Sequence, residues 1–223
     1  KYIRDNRFIS MRNLVRTGDI AEVQFCYHDL PEKLDLYDYD AFNRSKTEFY
    51  AVCSNVETGK PEYIRITDMK KQIDVIRASA SLPYVSRLVK TEGMKLLDGG
   101  CTDSIPLRAF AKMGYKKCVV VLTRPAGYRK KPGNFWLPEA AYHKYPAFVR
   151  ALRSRYYFYN KTVEWIDRSN KREKFLLSVR AWRFQSAEPN IVLKNCRRRM
   201  ISAGRMLPIR CMQWKIGSNL IDL

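Results

Sequence analysis

The chain has 223 residues, enough for one ordinary domain with its own hydrophobic core. No apolar run approaches the length of a membrane span. Six cysteines without a CxxC pair and only two histidines argue against a zinc site. They favour free thiols in a reducing compartment, so we expect a cytoplasmic protein with no metal and no cofactor.

The net charge of +20 makes an anionic partner the first possibility to consider. Residues 171–223 hold 12 Lys/Arg against 3 Asp/Glu, whereas the other basic residues are scattered and form no recognition motif. We interpret the scattered basic residues first as a solvated surface. Weak contact with an anionic membrane surface is the second interpretation, and no nucleic-acid partner is expected.

The first third of the chain predicts short helices and one hairpin. Its expected helices are one over 8–15 closed by Gly18, one that starts at Asp29 before Pro31, and a short helical turn whose entry is flanked by Asp38 and Asp40. Its expected strands are 48–54 and 61–66, joined by a turn at 57–59. Thr67 or Asp68 can cap the next helix, whose apolar face recurs at helical spacing until Pro83. Ser79 and Ser81 lie at its end, but neither has the flanking glycines of a catalytic serine elbow.

Met94–Gly100 predicts a short buried strand that ends in a tight loop at Asp98. A carboxylate at the carboxyl end of a parallel strand would face the crevice in which such sheets bind ligands. Gly99 and Gly100 would allow positive φ and close approach of another group. The alternative is an Asx-type turn in which Asp98 bonds only its own loop.

The following segment predicts a helix over 107–113, closed by Gly114, and the strongest strand signal of the chain at 117–123. With the strand before Asp98 it would form a right-handed βαβ unit. A basic loop follows over 124–138, and a helical pattern rich in aromatic residues follows over 140–167. Such aromatics can stack on single-stranded nucleic acid, but core packing is the favoured interpretation.

Several motifs resemble, in order and spacing, the C-terminal part of bacterial patatin-like phospholipases. They are Arg77–Pro83, Leu97–Gly100, Asp103–Pro106, the helix with the valine-rich strand after it, and the hairpin with Asn55–Gly59 at its turn. The resemblance covers about residues 1–173. It implies an α/β, patatin-like three-layer fold: a mostly parallel sheet flanked by helices, of which the N-terminal part is missing.

The resemblance also implies a serine acyl-hydrolase of lipid esters or phospholipids, involved in lipid catabolism. In that family a serine on G-x-S-x-G and an aspartate in D-G-[GA] form a catalytic dyad, so Asp98 would be the dyad aspartate and Gly99 and Gly100 would complete its motif. Asp103 would hold the loop, and Leu82 and Pro83 would shape the wall near Asp98. A serine hydroxyl needs a base within hydrogen-bond reach, which a desolvated carboxylate can supply.

The departure from the family pattern is that no G-x-S-x-G and no glycine-rich oxyanion loop occur in these residues. Both precede this region in the family, so we expect a fragment that begins after the nucleophile elbow. Alone it would hydrolyse little or nothing. The rival hypothesis is a non-catalytic module whose basic 124–131 loop and aromatics bind an anionic membrane surface or nucleic acid.

Residues 174–223 form an atypical basic tail that settles into no structural period. Phe175–Val179 could be one more strand, while Trp182 and Trp214 lie among charges. The tail could be disordered or a nucleic-acid-binding extension. The favoured hypothesis is a frameshift near residues 169–173, since the shifted frame permits a strand stopped by proline and an amphipathic helix.

Overall fold

The structure, a computed structural model, describes residues 2, 4–115, 118–134, 136–171 and 176–180. The helices are α1 (Met11–Thr17), a π-helix (Phe25–Leu34), α2 (Tyr39–Arg44), α3 (Ile73–Ser79), α4 (Leu107–Lys112), α5 (Trp136–Tyr142) and α6 (Pro146–Lys171), with a 3-10 turn at Gly99–Cys101. The strands are β1 (Phe49–Asn55), β2 (Lys60–Ile66), β3 (Val89–Thr91), β4 (Met94–Asp98), β5 (Cys118–Leu122) and β6 (Leu176–Arg180). The described residues of 1–104 and 133–155 form unit 1, and those of 105–132 and 156–180 form unit 2.

Unit 1 contains a four-stranded sheet in the order β2-β1-β4-β3. Every neighbouring pair is antiparallel, and Cys53 of β1 lies opposite Asp98 of β4. The α/β class is confirmed, because helices and strands occur together in the chain. The prediction of a mostly parallel sheet is wrong for unit 1, because its neighbouring strands run antiparallel. Helices cover both faces of this sheet, and burial on both faces selects apolar strands whichever way they run.

Successive residues of β4 point to opposite faces and so join different helices to the sheet. Leu96 packs in a cluster with Val75 and Ala78 of α3. Leu97 packs in a second cluster with Tyr142 at the end of α5 and Phe148 of α6. Both leucines are fully buried, which fixes the position of the strand that carries Asp98.

The β1–β2 hairpin confirms the strands and the turn that the sequence predicts. Glycine is required at position 59 for two reasons. Its φ is +65°, and a Cβ there would overlap the backbone of Ala147. The hairpin is thereby held against the start of α6.

Unit 2 contains the parallel pair β5 and β6. Its core joins Leu107 of α4, Leu122 of β5 and Ile166 of α6. The predicted βαβ unit from 94 to 123 is wrong, because β4 pairs with β1 and β3 while β5 pairs with β6. The possible strand at Phe175–Val179 is found as β6 from Leu176 onward, while Phe175 lies outside the described residues. The chain crosses from β5 to β6 through the segment that contains α6.

Two predicted helix starts are wrong. The π-helix begins at Phe25, and Asp29 lies inside it, where its carboxylate pairs with Lys33 (Oδ1 to Nζ 2.7 Å). Asp68 accepts from the N–H groups of Lys70 and Lys71 in a turn, and α3 begins only at Ile73. The closures at Gly18 and Gly114 are confirmed, and so is the helical turn that begins beside Asp38 and Asp40, which is α2. The carboxylate of Asp38 caps this helix by accepting from the N–H of Ala41.

Residues 181–223 lie outside the described residues, as do Trp182 and Trp214, so most of the predicted atypical tail does too. In the part of the chain that the structure describes, no helix is long and apolar enough to cross a membrane.

Candidate active site

Asp98 is the last residue of β4, as the sequence predicts, and its backbone is held on two sides. Its N–H donates to the carbonyl of Ser81 at 2.9 Å. Its own carbonyl accepts from the hydroxyl of Ser54 in β1 at 2.7 Å. The hydroxyls of Ser54 and Thr102 also lie 2.7 Å apart, so this partly buried hydroxyl pair ties β1 to the turn after Asp98.

The carboxylate of Asp98 caps the 3-10 turn that follows it. Its Oδ1 accepts from the N–H of Gly100 at 2.6 Å, which is the local bond of the Asx-turn alternative. The residue is only 4% exposed, so it does not face the open crevice that the sequence analysis expects. Burial, followed by the charge of Asp98, raises the pKa of the Cys53 thiol to about 12, so this cysteine stays a neutral thiol.

Gly99 and Gly100 are needed for close approach rather than for positive φ, since neither has a positive φ. A Cβ on Gly99 would overlap the carbonyl of Val52 in β1. A Cβ on Gly100 would lie 2.9 Å from Asp98 Oδ1 and 3.4 Å from Arg155 Nη2. The Gly-Gly pair therefore lets the chain fold back tightly over β1 and next to the carboxylate.

Asp103 holds the same turn from the other end. Its N–H donates to the carbonyl of Gly99 at 2.9 Å, and its Oδ2 accepts from the hydroxyl of Tyr63 at 2.6 Å. Burial and this bond to Asp103 raise the pKa of Tyr63. The geometry agrees with the expected role of Asp103 in the loop, and Tyr63 on β2 is a partner that sequence reasoning missed.

The segment with Ser79, Ser81 and Pro83 reaches β4 through the Ser81 carbonyl. The hydroxyl of Ser79 donates to the carbonyl of Val52 at 2.8 Å, and that of Ser81 donates to the carbonyl of Arg77 at 2.8 Å. Both hydroxyls thus serve backbone carbonyls. Pro83 is buried, and the chain turns sharply directly after it.

Tyr84, the residue after Pro83, has φ +72°, a conformation that bulky side chains rarely adopt. Its N–H donates to the hydroxyl of the buried Tyr142 at 3.1 Å, and the two rings lie 5.6 Å apart. Local backbone strain of this kind concentrates at functional sites. No sequence pattern marks Tyr84, because the strain depends on a residue 58 positions away.

The basic loop over 124–131 belongs to unit 2 and is tied to α6. Asn160 and Lys130 exchange two hydrogen bonds between side chain and backbone, at 2.8 and 2.9 Å. Arg129 pairs with Asp167 at 3.4 Å. The predicted core packing of the later aromatics holds for Tyr142 and Phe148, both buried, and is wrong for the exposed Tyr157 and Trp165.

Within the described ranges, no three His, Cys, Asp or Glu side chains come together in a way that could hold a metal ion. The titratable groups brought together at the Gly99–Cys101 turn are Asp98, Asp103, Tyr63 and Arg155.

No family model matches the chain. It is similar to the uncharacterized protein YjjU of Escherichia coli (strain K12), with 29% identity over 150 residues. The match takes in 63% of this chain and 42% of YjjU, so the chain spans less than half the length of that relative. The relative's name assigns no activity.

Proposed function

We propose that this chain is part of a patatin-like serine acyl-hydrolase of lipid esters, in which Asp98 is the general base of a Ser–Asp dyad. The finer fold, a patatin-like three-layer arrangement, belongs to the same proposal. The observation that carries it is the placement of Asp98: a buried carboxylate at a strand end, oriented by the Gly100 N–H and followed by Gly-Gly. The motif resemblance in the same residues supports it.

The proposed reaction uses a serine that lies outside these 223 residues. Asp98 accepts the serine proton as the serine oxygen bonds to the acyl carbon. Collapse of the tetrahedral intermediate breaks the ester C–O bond, and the leaving alcohol takes the proton from Asp98. Water then attacks the acyl-serine, gives its proton to Asp98 and releases the acid as the serine oxygen regains that proton.

The rigid turn around Asp98 suits this role. A general base must stay within hydrogen-bond reach of its partner, and the contacts from Ser81, Ser54 and Gly100 fix both the backbone and one carboxylate oxygen. Burial removes competing water, which strengthens the hydrogen bond to an attacking hydroxyl.

The test is ester hydrolysis by the full-length protein and two isosteric variants. Asp98→Asn keeps the acceptor for Gly100 but loses the base, so we expect activity below about a tenth of wild type, roughly 1.4 kcal/mol of barrier. Asp103→Asn removes a carboxylate from the same turn and should keep most activity. Equal losses in both variants, or retained activity in Asp98→Asn, would refute the assignment. The gene upstream of codon 1 should encode G-x-S-x-G.

A second candidate role is peripheral contact with an anionic membrane surface, alongside a cytoplasmic location. It is favoured by the exposed Tyr157, Phe158 and Trp165 on α6, with Lys161 between them and its ammonium 4.4 Å from the Tyr157 ring centre. Exposed aromatics beside cations are typical of membrane-interface surfaces. Co-sedimentation with anionic vesicles should fall for Phe158→Ala with Trp165→Ala, and equal binding by this double variant would refute it.

A further inference from the structure

Arg155 on α6 is a half-buried cation whose hydrogen-bonding capacity is not fully used within the described residues. Its Nε is buried with no hydrogen bond, and no ion pair joins it to a carboxylate of the described residues. Arg153, two residues earlier on the same helix, pairs with Glu139 instead. A buried arginine is normally paired, because withdrawing a charge from water without compensation costs free energy.

The guanidinium of Arg155 lies beside the turn that presents Asp98. Its Nη2 and the Oδ1 of Asp98 both come within 3.4 Å of one point, the position that a Cβ on Gly100 would occupy. Tyr84 lies near the same group: burial raises the pKa of Tyr84 to about 12, and the positive charge of Arg155 acts in the opposite direction. Arg155 is therefore a few ångströms from the proposed base.

A guanidinium is suited to binding phosphate and carboxylate, since its planar fork of N–H donors matches two oxygens at once. Asp98 and Arg155 share the turn but differ in charge and in partners. The carboxylate is fixed by Gly100, while the guanidinium keeps donors to offer. An ester reacting at Asp98 that carries an anionic group a few bonds away could place that group on Arg155.

We infer that Arg155 is a specificity-determining residue that binds the anionic group of the substrate, a phosphate monoester or diester attached to the alcohol part of the ester. The assignment of an ester substrate rests on the proposed hydrolase function. Binding of an anionic group by Arg155 does not depend on that function. The inference assigns to Arg155 a preference for charged over neutral esters and leaves the bond-breaking steps to the dyad.

Glu139 is the competing explanation, because its Oε2 is also buried without a hydrogen bond. An ion pair between Arg155 and Glu139 in solution would give both groups a structural role. Glu139→Gln would then change the behaviour of Arg155, whereas an anion site at Arg155 would be unaffected.

The kinetic test compares two soluble esters that differ only by a phosphate, monobutyrylglycerol and monobutyrylglycerol phosphate, with the full-length protein. We expect wild type to prefer the phosphorylated ester. Arg155→Gln should raise its KM about tenfold or more, the effect of losing a charge-assisted hydrogen bond, and leave kcat/KM for the neutral ester unchanged. Arg155→Lys should be intermediate. Arg153→Gln, the matched control on the same helix, and Glu139→Gln should keep the preference.

Calorimetry with glycerol phosphate, with glycerol as the reference, separates this inference from the hydrolase proposal. Binding of glycerol phosphate by wild type and its loss in Arg155→Gln would support the anion site even if no ester were cleaved. Binding no stronger than that of glycerol would overturn it. Equal losses on both esters in Arg155→Gln, or no change on either, would also overturn it, whereas inactivity of wild type would count against the hydrolase alone.

Discussion

The strands β4 and β5 are both short and apolar, yet their surroundings differ. β4 has hydrogen-bonded neighbours on both edges and helices on both faces, and Leu96, Leu97 and Asp98 are all buried. β5 has the more apolar sequence, but Val119 and Val121 are 37% and 48% exposed while Leu122 is buried. An apolar sequence thus indicates that a strand can be buried, but the strands and helices packed against it determine how much of it is buried.

The comparison is tested most strongly by two phenylalanines of one helix. Phe148 is fully buried in unit 1 and Phe158 is 52% exposed in unit 2. We expect Phe148→Ala to lower the free energy of unfolding by about 3–5 kcal/mol, since it leaves a cavity, and Phe158→Ala by about 0.5 kcal/mol or less. Urea denaturation measures both. Similar losses in the two variants would break the contrast between the units.

Two glycine substitutions test how tightly the turn after Asp98 is packed. Gly99→Ala forces a Cβ onto the Val52 carbonyl, so we expect a loss of about 2 kcal/mol or more in unfolding free energy. Gly133→Ala is the matched control, because nothing lies within 4 Å of its Cβ position, and it should change stability little. A tolerated Gly99→Ala would mean that the turn is looser than described.

Loss of the Tyr63–Asp103 hydrogen bond should lower the free energy of unfolding by less than Gly99→Ala does, and the size of this loss should depend on pH. Tyr63→Phe should cost about 1 kcal/mol near pH 8, where the phenol donates to Asp103. Burial raises the folded-state pKa of Tyr63, so its contribution is complete below the unfolded pKa near 10 and declines as pH rises above it. The stability gap between wild type and Tyr63→Phe should therefore narrow at pH 11, and a widening gap would contradict this sign.

The smallest effect is expected on the exposed face of β5. Val121→Thr keeps a β-branched side chain and places a hydroxyl where water reaches it, so stability should change by about 0.5 kcal/mol or less. Leu122→Ala, one residue along and buried, should cost about 2 kcal/mol or more. If Val121→Thr matched Leu122→Ala, β5 would be covered on both faces in solution.

The sequence predicts local features well. The β1–β2 hairpin follows from an apolar strand before the turn at Gly59 and an alternating strand after it, and Asp98 is placed at a strand end by the glycines that follow it. Strand direction was mispredicted because β4 buries both faces, and antiparallel neighbours produce the same apolar pattern as parallel ones. The helix start at Asp29 was wrong because the cap-and-proline pattern also fits inside a π-helix.

The parts of the candidate site that sequence reasoning missed all depend on distant contacts. Ser54 contacts Thr102, and Tyr84 bonds Tyr142. Arg155 reaches Gly100 from a helix that begins 46 residues after it. One signal was available for Ser54, which directly follows the apolar run Ala51–Cys53 of β1, since a buried hydroxyl needs a partner.

The frameshift hypothesis for the region after residue 169 stays a prediction. β6 forms a regular parallel strand from Leu176–Arg180 in the frame as written, and the residues beyond it lie outside the described part of the chain. Sequencing the gene across codons 165–180 decides it, since a single open frame would end the hypothesis.

The central claim, that Asp98 activates a serine, is tested most directly by the rate of covalent trapping. A fluorophosphonate ester should label the full-length wild type on one serine, identified by mass spectrometry within G-x-S-x-G. Asp98→Asn should be labelled at least about tenfold more slowly, because the serine loses its base, while Asp103→Asn keeps nearly the wild-type rate. Equal labelling rates in wild type and Asp98→Asn, or no labelled serine in wild type, would contradict the claim.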